Sequence, residues 1–456
     1  MKLRFQNEDH TKSICTSAKV YSFFQINFVI ILLFSFGCIQ KAVGQDISLL
    51  ALGSNLRQTY INPAATLHKK WNISLMNTQV ELLTDGPTIN QLTSINNNGR
   101  RYIHPTNWQD HVNPENLISG NFQLNTFDVG FTSKNWAFLA GHAFRSFGSL
   151  NYTEDLLKLA ANGNGPYINQ TLQIGPIADY TTFNEIYLGA QKKFNKFTVG
   201  IKTKLLFGVS NLRTEEADIQ YKTNDDFYQW ELNTNYAIRN SSTLSFRDIS
   251  DFTFNTSGIT FDHLFYNNVG LAFDLGVNMQ LSKNFQIFWS ALDLGFIRWD
   301  FLPRNTVSRG TFTFEGIDPL TYLNDTTGIN FADSLAAFIP FTTTTESYTT
   351  SLPNRFYLGA HYVWKEKWSF SGFVRFHRSF VKSNAQLSVS ATRSWKWLDA
   401  GLSYSVTNGN LWNVGALVQV KWKPVQVFVT TDNLFSLFSL YDQKLANARG
   451  GLSISF

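Results

Sequence analysis

Apolar and polar residues alternate with a period of two along most of this chain. From Asn268 to Leu281, one face carries Val269, Leu271, Phe273, Leu275, Val277, Met279 and Leu281. The other carries Gly270, Ala272, Asp274, Gly276, Asn278 and Gln280. Phe197, Val199, Ile201 and Leu205 oppose Gly200, Lys202 and Lys204 in the same way, and Leu398, Ala400, Leu402 and Tyr404 oppose Asp399, Gly401 and Ser403. Such alternation predicts strands with one apolar and one polar surface. The connections are of two kinds. Tight turns are expected around Lys134, Phe194–Lys196, Ser282–Asn284, Lys365–Lys367, Trp395–Lys396 and Lys423–Pro424, each beside an aromatic such as Trp136, Phe197, Phe285, Trp364, Trp368, Trp397 or Trp422. Between them lie longer connections, among them 84–119, 149–178, 210–267 and 298–354. Short turns with aromatics and lysines at one end, and long loops at the other, form the outer-membrane barrel pattern.

This layout predicts an all-β, transmembrane outer-membrane β-barrel with short periplasmic turns and long extracellular loops. Its strands are expected near 71–83, 120–133, 135–148, 179–193, 197–210, 268–281, 285–297, 355–364, 368–378, 386–394, 397–407, 413–422, 425–432 and 447–456. That makes about 14, an even number that returns the C-terminus to the periplasm, with 16 as the alternative. Segments 213–223, 227–239 and 310–316 also look extended and are read as hairpin extensions above the membrane. The last strand ends Leu452, Ile454, Phe456 on its apolar face and Arg449, Gly451, Ser453, Ser455 on the other. It resembles the C-terminal signal by which outer-membrane barrels are recognised for insertion. A secreted β-sandwich would also alternate, but it leaves the aromatic-flanked turns and the terminal Phe456 without a reason.

Residues 1–44 read as a secretory signal peptide: a basic start (Lys2, Arg4, Lys12, Lys19), an apolar run over 23–39, and small residues Ala42 and Gly44 before Gln45. The alternatives are an uncleaved membrane anchor, for which the run is short, and a lipoprotein on Cys38, which lacks the aliphatic residue that would open its lipobox. Both cysteines, Cys15 and Cys38, fall in this segment, so the mature chain would use no disulfide and no thiolate chemistry. The segment holds five basic and two acidic residues, and its removal takes the formal charge from +5 to about +2. A near-balanced surface argues against a nucleic-acid partner. Residues 45–70, with few strand signals and the Asn62-Pro63 break, form an N-terminal periplasmic or plug segment, and 71–456 the barrel.

Candidate chemistry is sparse. If Tyr357, Gly359 and His361 face inward, so does Arg355, and the next strand presents Ser371, Phe373, Arg375 and His377. This makes a basic lumen patch of Arg355, Arg375 and His377, with Arg378 beside it. The functional reading is an anion or carboxylate site. The favoured reading is charge pairing with acids such as Asp128, Asp274 and Asp399. The parity near Asp293 is ambiguous, as a bulge would make it. The histidines lack metal-ligand spacing. Ala161–Pro166 is Gly-rich but lacks the Lys-Ser/Thr of a phosphate loop and follows a helix-like stretch at 154–159. No nucleophile elbow occurs. No catalytic residue, metal or cofactor is expected.

Two strings carry a family resemblance. Tyr60-Ile61-Asn62-Pro63-Ala64-Ala65 resembles the Asn-Pro-Ala element found shortly after the mature N-terminus in the FadL-like fatty-acid transporter barrels and in the PorP/SprF-like barrels of type IX secretion and gliding. Ala291-Leu292-Asp293-Leu294-Gly295-Phe296-Ile297-Arg298-Trp299, with the overall layout, is similar to an uncharacterised Bacteroidota outer-membrane family described as a domain of unknown function. The FadL-like resemblance implies an N-terminal plug, with Asn62, Pro63 and Ala64 as its turn, and passive passage of hydrophobic or amphipathic solutes. The alternative is a non-enzymatic partner or anchor of a secretion, gliding or surface-attachment complex. The partners implied are outer-membrane lipid, the barrel-assembly machinery, and either a hydrophobic solute or secretion-system proteins.

Overall fold

The computed structural model describes residues 49–50, 56–103, 108–225, 229–246, 252–254, 261–314, 339–407 and 410–456. The expected signal peptide, and residues 45–48 and 51–55 of the expected plug, lie outside the described residues.

Fourteen antiparallel strands close into a barrel: β1 (Trp71–Thr84), β2 (Glu115–Ser133), β3 (Trp136–Thr153), β4 (Ile177–Phe194), β5 (Phe197–Thr223), β6 (Val269–Ser282), β7 (Phe285–Trp299), β8 (Asn354–Trp364), β9 (Trp368–Arg378), β10 (Asn384–Ser394), β11 (Leu398–Thr407), β12 (Asn410–Trp422), β13 (Val425–Thr431) and β14 (Leu445–Ser455). Each pairs with its sequence neighbours. Closure comes from β1 against β14, from Asn72 opposite Ser455 to Leu83 opposite Leu445. At its lower end the amide of Trp71 donates to the Phe456 carbonyl (2.9 Å), and that of Phe456 to the Trp71 carbonyl (3.0 Å). Closing the sheet leaves no edge strand with unpaired backbone groups. The strand count of fourteen stands, and the alternative of sixteen does not.

The alternation sets the two surfaces. On β1, Asn72, Ser74, Asn77, Gln79 and Glu81 are buried in the lumen, while Val80 and Leu82 are exposed outside. On β5, Lys202 and Lys204 are buried, while Val199, Ile201 and Leu205 are exposed. The outer surface is therefore an apolar belt of the kind a bilayer covers. Trp71, Trp136, Phe194, Phe197, Trp364, Trp397 and Trp422 are exposed at its short-turn end. Lys192 lies over the rings of Trp136 and Phe194, at 4.7 and 5.0 Å. Among the described residues, no helix is long and apolar enough to cross a membrane.

Several strands run past the expected ends. The expected second strand begins at Glu115 rather than 120, the third reaches Thr153 rather than 148, and β5 continues to Thr223 rather than 210. The upper part of β5 pairs with Trp230–Ser242, and that strand pairs with Pro303–Phe314. The three extended segments thus form a lobe above the barrel without adding to its wall. The helix expected at 154–159 spans Glu154–Asn162, and the Thr153 side chain accepts from the Leu156 amide at its start. At the long-loop end two connections are short, 379–383 and 408–409, so the alternation of short and long is not strict.

Candidate functional site

The lumen is filled by the N-terminal segment. A 3-10 turn, Leu56–Tyr60, leads into Ile61–Ala65, where the Asn62 side-chain oxygen accepts from the Ala64 amide (2.9 Å) and the Asn62 carbonyl from the Ala65 amide (2.9 Å). An Asn side chain that bonds two residues ahead, followed by Pro, makes a tight turn that no strand could continue. The segment is tied to opposite walls. Arg57 donates to Ser453 of β14 (2.9 Å) and Gln419 of β12 (3.3 Å), with its guanidinium 4.0 Å from the centre of the Phe428 ring of β13. Across the lumen, Lys202 of β5 donates to the Thr59 carbonyl (2.9 Å) and Gln191 of β4 to the Pro63 carbonyl (2.6 Å). Ser290 of β7 donates to the Ile61 carbonyl (2.5 Å), and the Tyr60 hydroxyl bonds Asp128 of β2. Beside this polar web, Ile61 packs with Leu49, Phe288, Leu292, Tyr357 and Phe373.

Two glycines of the wall make this approach possible. A Cβ at Gly200 of β5 would collide with the Pro63 carbonyl, and one at Gly276 of β6 with the Asn62 side chain. Both are in extended strands, so what they supply is space for the turn to lie against the sheet.

Above the turn sits a buried ion network. Asp293 of β7 holds Arg145 of β3, Lys204 of β5 and Arg355 of β8, each at 2.7 Å. Lys204 also meets Asp274 (2.8 Å) and Arg145 meets Glu185 (3.2 Å). Three cations face three carboxylates, so the network is balanced. A bulge places Asp293 here. The β6–β7 register shifts between Phe273 and Leu275, opposite Leu292 and Asp293, and Asp293 takes φ +60°. Leu292 and Asp293 are then both buried, which is what a one-residue insertion does to alternation.

The basic patch is brought together in part as charge pairing. Arg355, Arg375 and His377 line one cavity of about 90 Å³ with Arg145 and Lys382. Arg355 is bound to Asp293, and Lys382 to Asp85 at 2.6 Å. The expected partner acids are engaged elsewhere: Asp128 accepts from Tyr187 (2.6 Å), Asp274 meets Lys204, and Asp399 meets Lys421 (2.6 Å). Asp293, left ambiguous by parity, is the acid that takes Arg355. Arg378 is exposed, on the other face from His377. His361 bonds Ser371 on the neighbouring strand (2.8 Å). Among the described residues no group of three His, Cys, Asp or Glu could hold a metal. A second lumen cavity, beside Tyr60, Tyr187 and Lys202, measures about 20 Å³. A space of about 20 Å³ holds a water or two.

A larger site lies in the outer lobe and had no sequence signal beyond scattered apolar residues. Helix 154–162, the upper part of β5 and the strands 230–242 and 303–314 enclose a cavity of about 640 Å³, lined mainly by Leu156, Leu159, Ile219, Trp230, Leu232 and Phe341. Tyr221 and Tyr236 line it as well, and burial pushes both phenols up, so they stay neutral there. The Tyr236 hydroxyl donates to the Pro176 carbonyl (3.2 Å). A mostly apolar concavity of this size with a few fixed polar groups suits a small apolar molecule.

Phe373 of strand β9, which packs with Ile61, the lumen charges other than Asp293, and the C-terminal strand Leu452, Ile454, Phe456 fall where alternation puts them: Leu452 and Ile454 are half-buried in β14 and Phe456 is exposed at its end. In overall shape the chain is similar to solved barrels. A TodX deltaS2S3 mutant monoaromatic hydrocarbon channel is 11% identical, with 91% of this chain and 97% of that one covered and a TM-score of 0.44. The Pseudomonas putida toluene transporter TodX is 10% identical, over 91% and 97%, with a TM-score of 0.39. A Pseudomonas aeruginosa FadL homologue is 9% identical, over 92% and 98%, also at 0.39. No curated protein matches the sequence. The model of a family of unknown function, DUF5723, matches residues 63–432, from the Asn-Pro-Ala turn to the end of β13, and the chain belongs to that family.

Proposed function

We propose that this protein is an integral outer-membrane β-barrel, exported by a signal peptide over residues 1–44, that passively admits a hydrophobic or amphipathic small molecule. The apolar cavity of the outer lobe carries this reading. It sits above a lumen occupied by the N-terminal segment, which acts as a plug, and the cavities left beside Arg355 and beside Tyr60 measure about 90 and 20 Å³. A general pore for polar solutes needs an open, water-filled lumen. A barrel whose lumen is occupied by its own N-terminal segment, yet which offers an apolar chamber on its outer side, fits a solute that partitions out of water. The plug must give way for passage, and the many polar contacts along residues 57–63 are reversible ones. No residue is placed for bond-making or bond-breaking chemistry in this reading.

The experiment is uptake and binding of an apolar fluorescent probe, N-phenylnaphthylamine, by the purified barrel in liposomes. Uptake above that of protein-free liposomes is expected, and its absence would sink the reading. Leu232→Arg places a charge in the outer cavity. Burying a charge without a partner costs several kcal/mol, so probe binding should weaken by about tenfold or more. Unchanged probe affinity in a folded Leu232→Arg barrel would move the binding site away from the lobe.

A further inference from the structure

Strand β13 is too short to serve as wall on its own. Its seven residues, Val425–Thr431, rise about 3.3 Å each. At a tilt of 35–45° they cover roughly 18 Å of height, against an apolar belt of about 25 Å in outer-membrane barrels. Its neighbours are longer. β12 continues upward from Ala416, the partner of Thr431, to Asn410, and β14 continues from Arg449, the partner of Thr430, to Leu445. The connection 432–444 closes the space between them.

We propose that residues Leu434–Tyr441 of this connection lie among the acyl chains of the outer leaflet and complete the lipid-facing wall. The proposal rests on the outer-membrane reading above and adds to it the placement of this loop. Four observations carry it. First, Phe435 is 52% exposed, Leu437 61%, Phe438 84% and Leu440 45%, and no charged residue occurs from Asn433 to Tyr441. A soluble loop with this many bare apolar side chains would be an aggregation hazard. Second, the surface is continuous with the belt. Val427 and Val429 of β13, just before it, are exposed on the belt, and exposed Leu82 of β1 and Ile118 of β2 stand near the level where the loop rejoins β14 at Leu445.

Third, the loop pairs much of the backbone of its first turn internally, as a lipid-facing segment favours. The amides of Ser436, Phe438 and Ser439 donate to the carbonyls of Asn433, Phe435 and Phe435 (3.1–3.2 Å). Buried Asn433 accepts from the Phe435 amide (3.2 Å) and donates to the Leu445 carbonyl (2.7 Å), while the Asn447 side chain accepts from the Asp432 amide (2.7 Å). The loop is thereby fastened to β14 by side chains where the strand ladder is missing. Fourth, polarity returns immediately above it. Asp442 bonds Ser439 and Asn90, and the Arg101 guanidinium lies 4.3 Å from the centre of the Tyr441 ring. An aromatic capped by a cation is what the head-group layer favours.

Single spin labels at Phe438→Cys and Leu437→Cys, in the full-length chain with Cys15 and Cys38 replaced by Ser, test this in liposomes. Leu402→Cys on the belt and Asp218→Cys on the outer lobe are the references. Accessibility to oxygen relative to a water-soluble nickel chelate should shift at 438 and 437 to the value found at 402. Values at 438 and 437 that match 218, with 402 protected from the chelate, would overturn the loop placement and leave the barrel reading intact. If 402 itself is open to the chelate, the membrane reading fails, and this proposal falls with it.

Discussion

Replacing Gly276 or Gly200 by Val is expected to dislodge the N-terminal turn and make the barrel conduct. The two glycines stand where the backbone of Pro63 and the side chain of Asn62 come closest to the wall, and a Cβ at either would overlap them. The wall strands are held on both sides by ladder bonds, so the turn is the part that yields. Overpacking of this kind costs about 1–3 kcal/mol, which raises the population of the displaced turn roughly 5- to 150-fold. In planar bilayers the wild type should pass little steady ion current, and the Gly276→Val barrel should show stepwise openings. Gly372→Ala, where the nearest atoms to an added Cβ lie at 3.4 and 3.6 Å, should behave as wild type. Heat-modifiable migration on a gel separates a folded, opened barrel from a misfolded one. A folded Gly276→Val barrel as silent as wild type would mean that the turn is not what closes the lumen.

The largest stability effect is expected at Asp293. Its carboxylate is fully buried and holds Arg145, Lys204 and Arg355 at 2.7 Å each. Asp293→Asn preserves the shape but leaves three cations, the buried Arg145 and Lys204 and the half-buried Arg355, facing two carboxylates, Asp274 and Glu185. Removing one partner of a buried ion pair costs about 3–5 kcal/mol. Urea unfolding in lipid vesicles should register a loss of that order, or the variant should fail to fold into them. By contrast, Lys158→Ala removes only a helix-surface pair with Glu154 (3.0 Å) and should change stability by less than about 0.5 kcal/mol. If Asp293→Asn unfolds at the wild-type urea concentration, the network is not what holds the strands β3, β5, β7 and β8 in register around it.

Legibility in the sequence followed the period of two. The alternation at 197–205 and 268–281 put the right residues inside and outside, because one face of a barrel strand must meet apolar surroundings and the other a filled interior. Arg355 and Arg375 could be placed in the lumen by counting residues from Tyr357 and Phe373. The same counting failed at Asp293, since a bulge breaks parity for one residue and nothing in Ala291–Gly295 says where the extra residue is absorbed. The ion partner of Arg355 was therefore out of reach.

The outer cavity shows the other limit. Leu156, Ile219, Trp230 and Phe341 come from segments up to 185 residues apart in the chain, and each alone reads as an unremarkable apolar residue in a loop. A short strand at β13 was legible, but the reach of its neighbours was similarly hidden. Its sequence alternates well enough, and only pairing with β12 and β14 shows how far those neighbours run beyond it.

By itself, the sequence determined the class of the fold, the inward and outward faces, the end bearing the tight turns, and the turn at Asn62–Ala64, and it narrowed the wall to 14 or 16 strands. All of these are local properties, set by alternation, turn chemistry and the inability of Pro63 to continue a strand. The tertiary structure alone decided that the turn lies between Gly200 and Gly276, that Asp293 gathers three cations, that the lobe forms an apolar cavity, and that β12 and β14 run on above β13. Each of those depends on which distant strands become neighbours when the sheet closes, and closure is a property of the whole barrel that no window of residues contains.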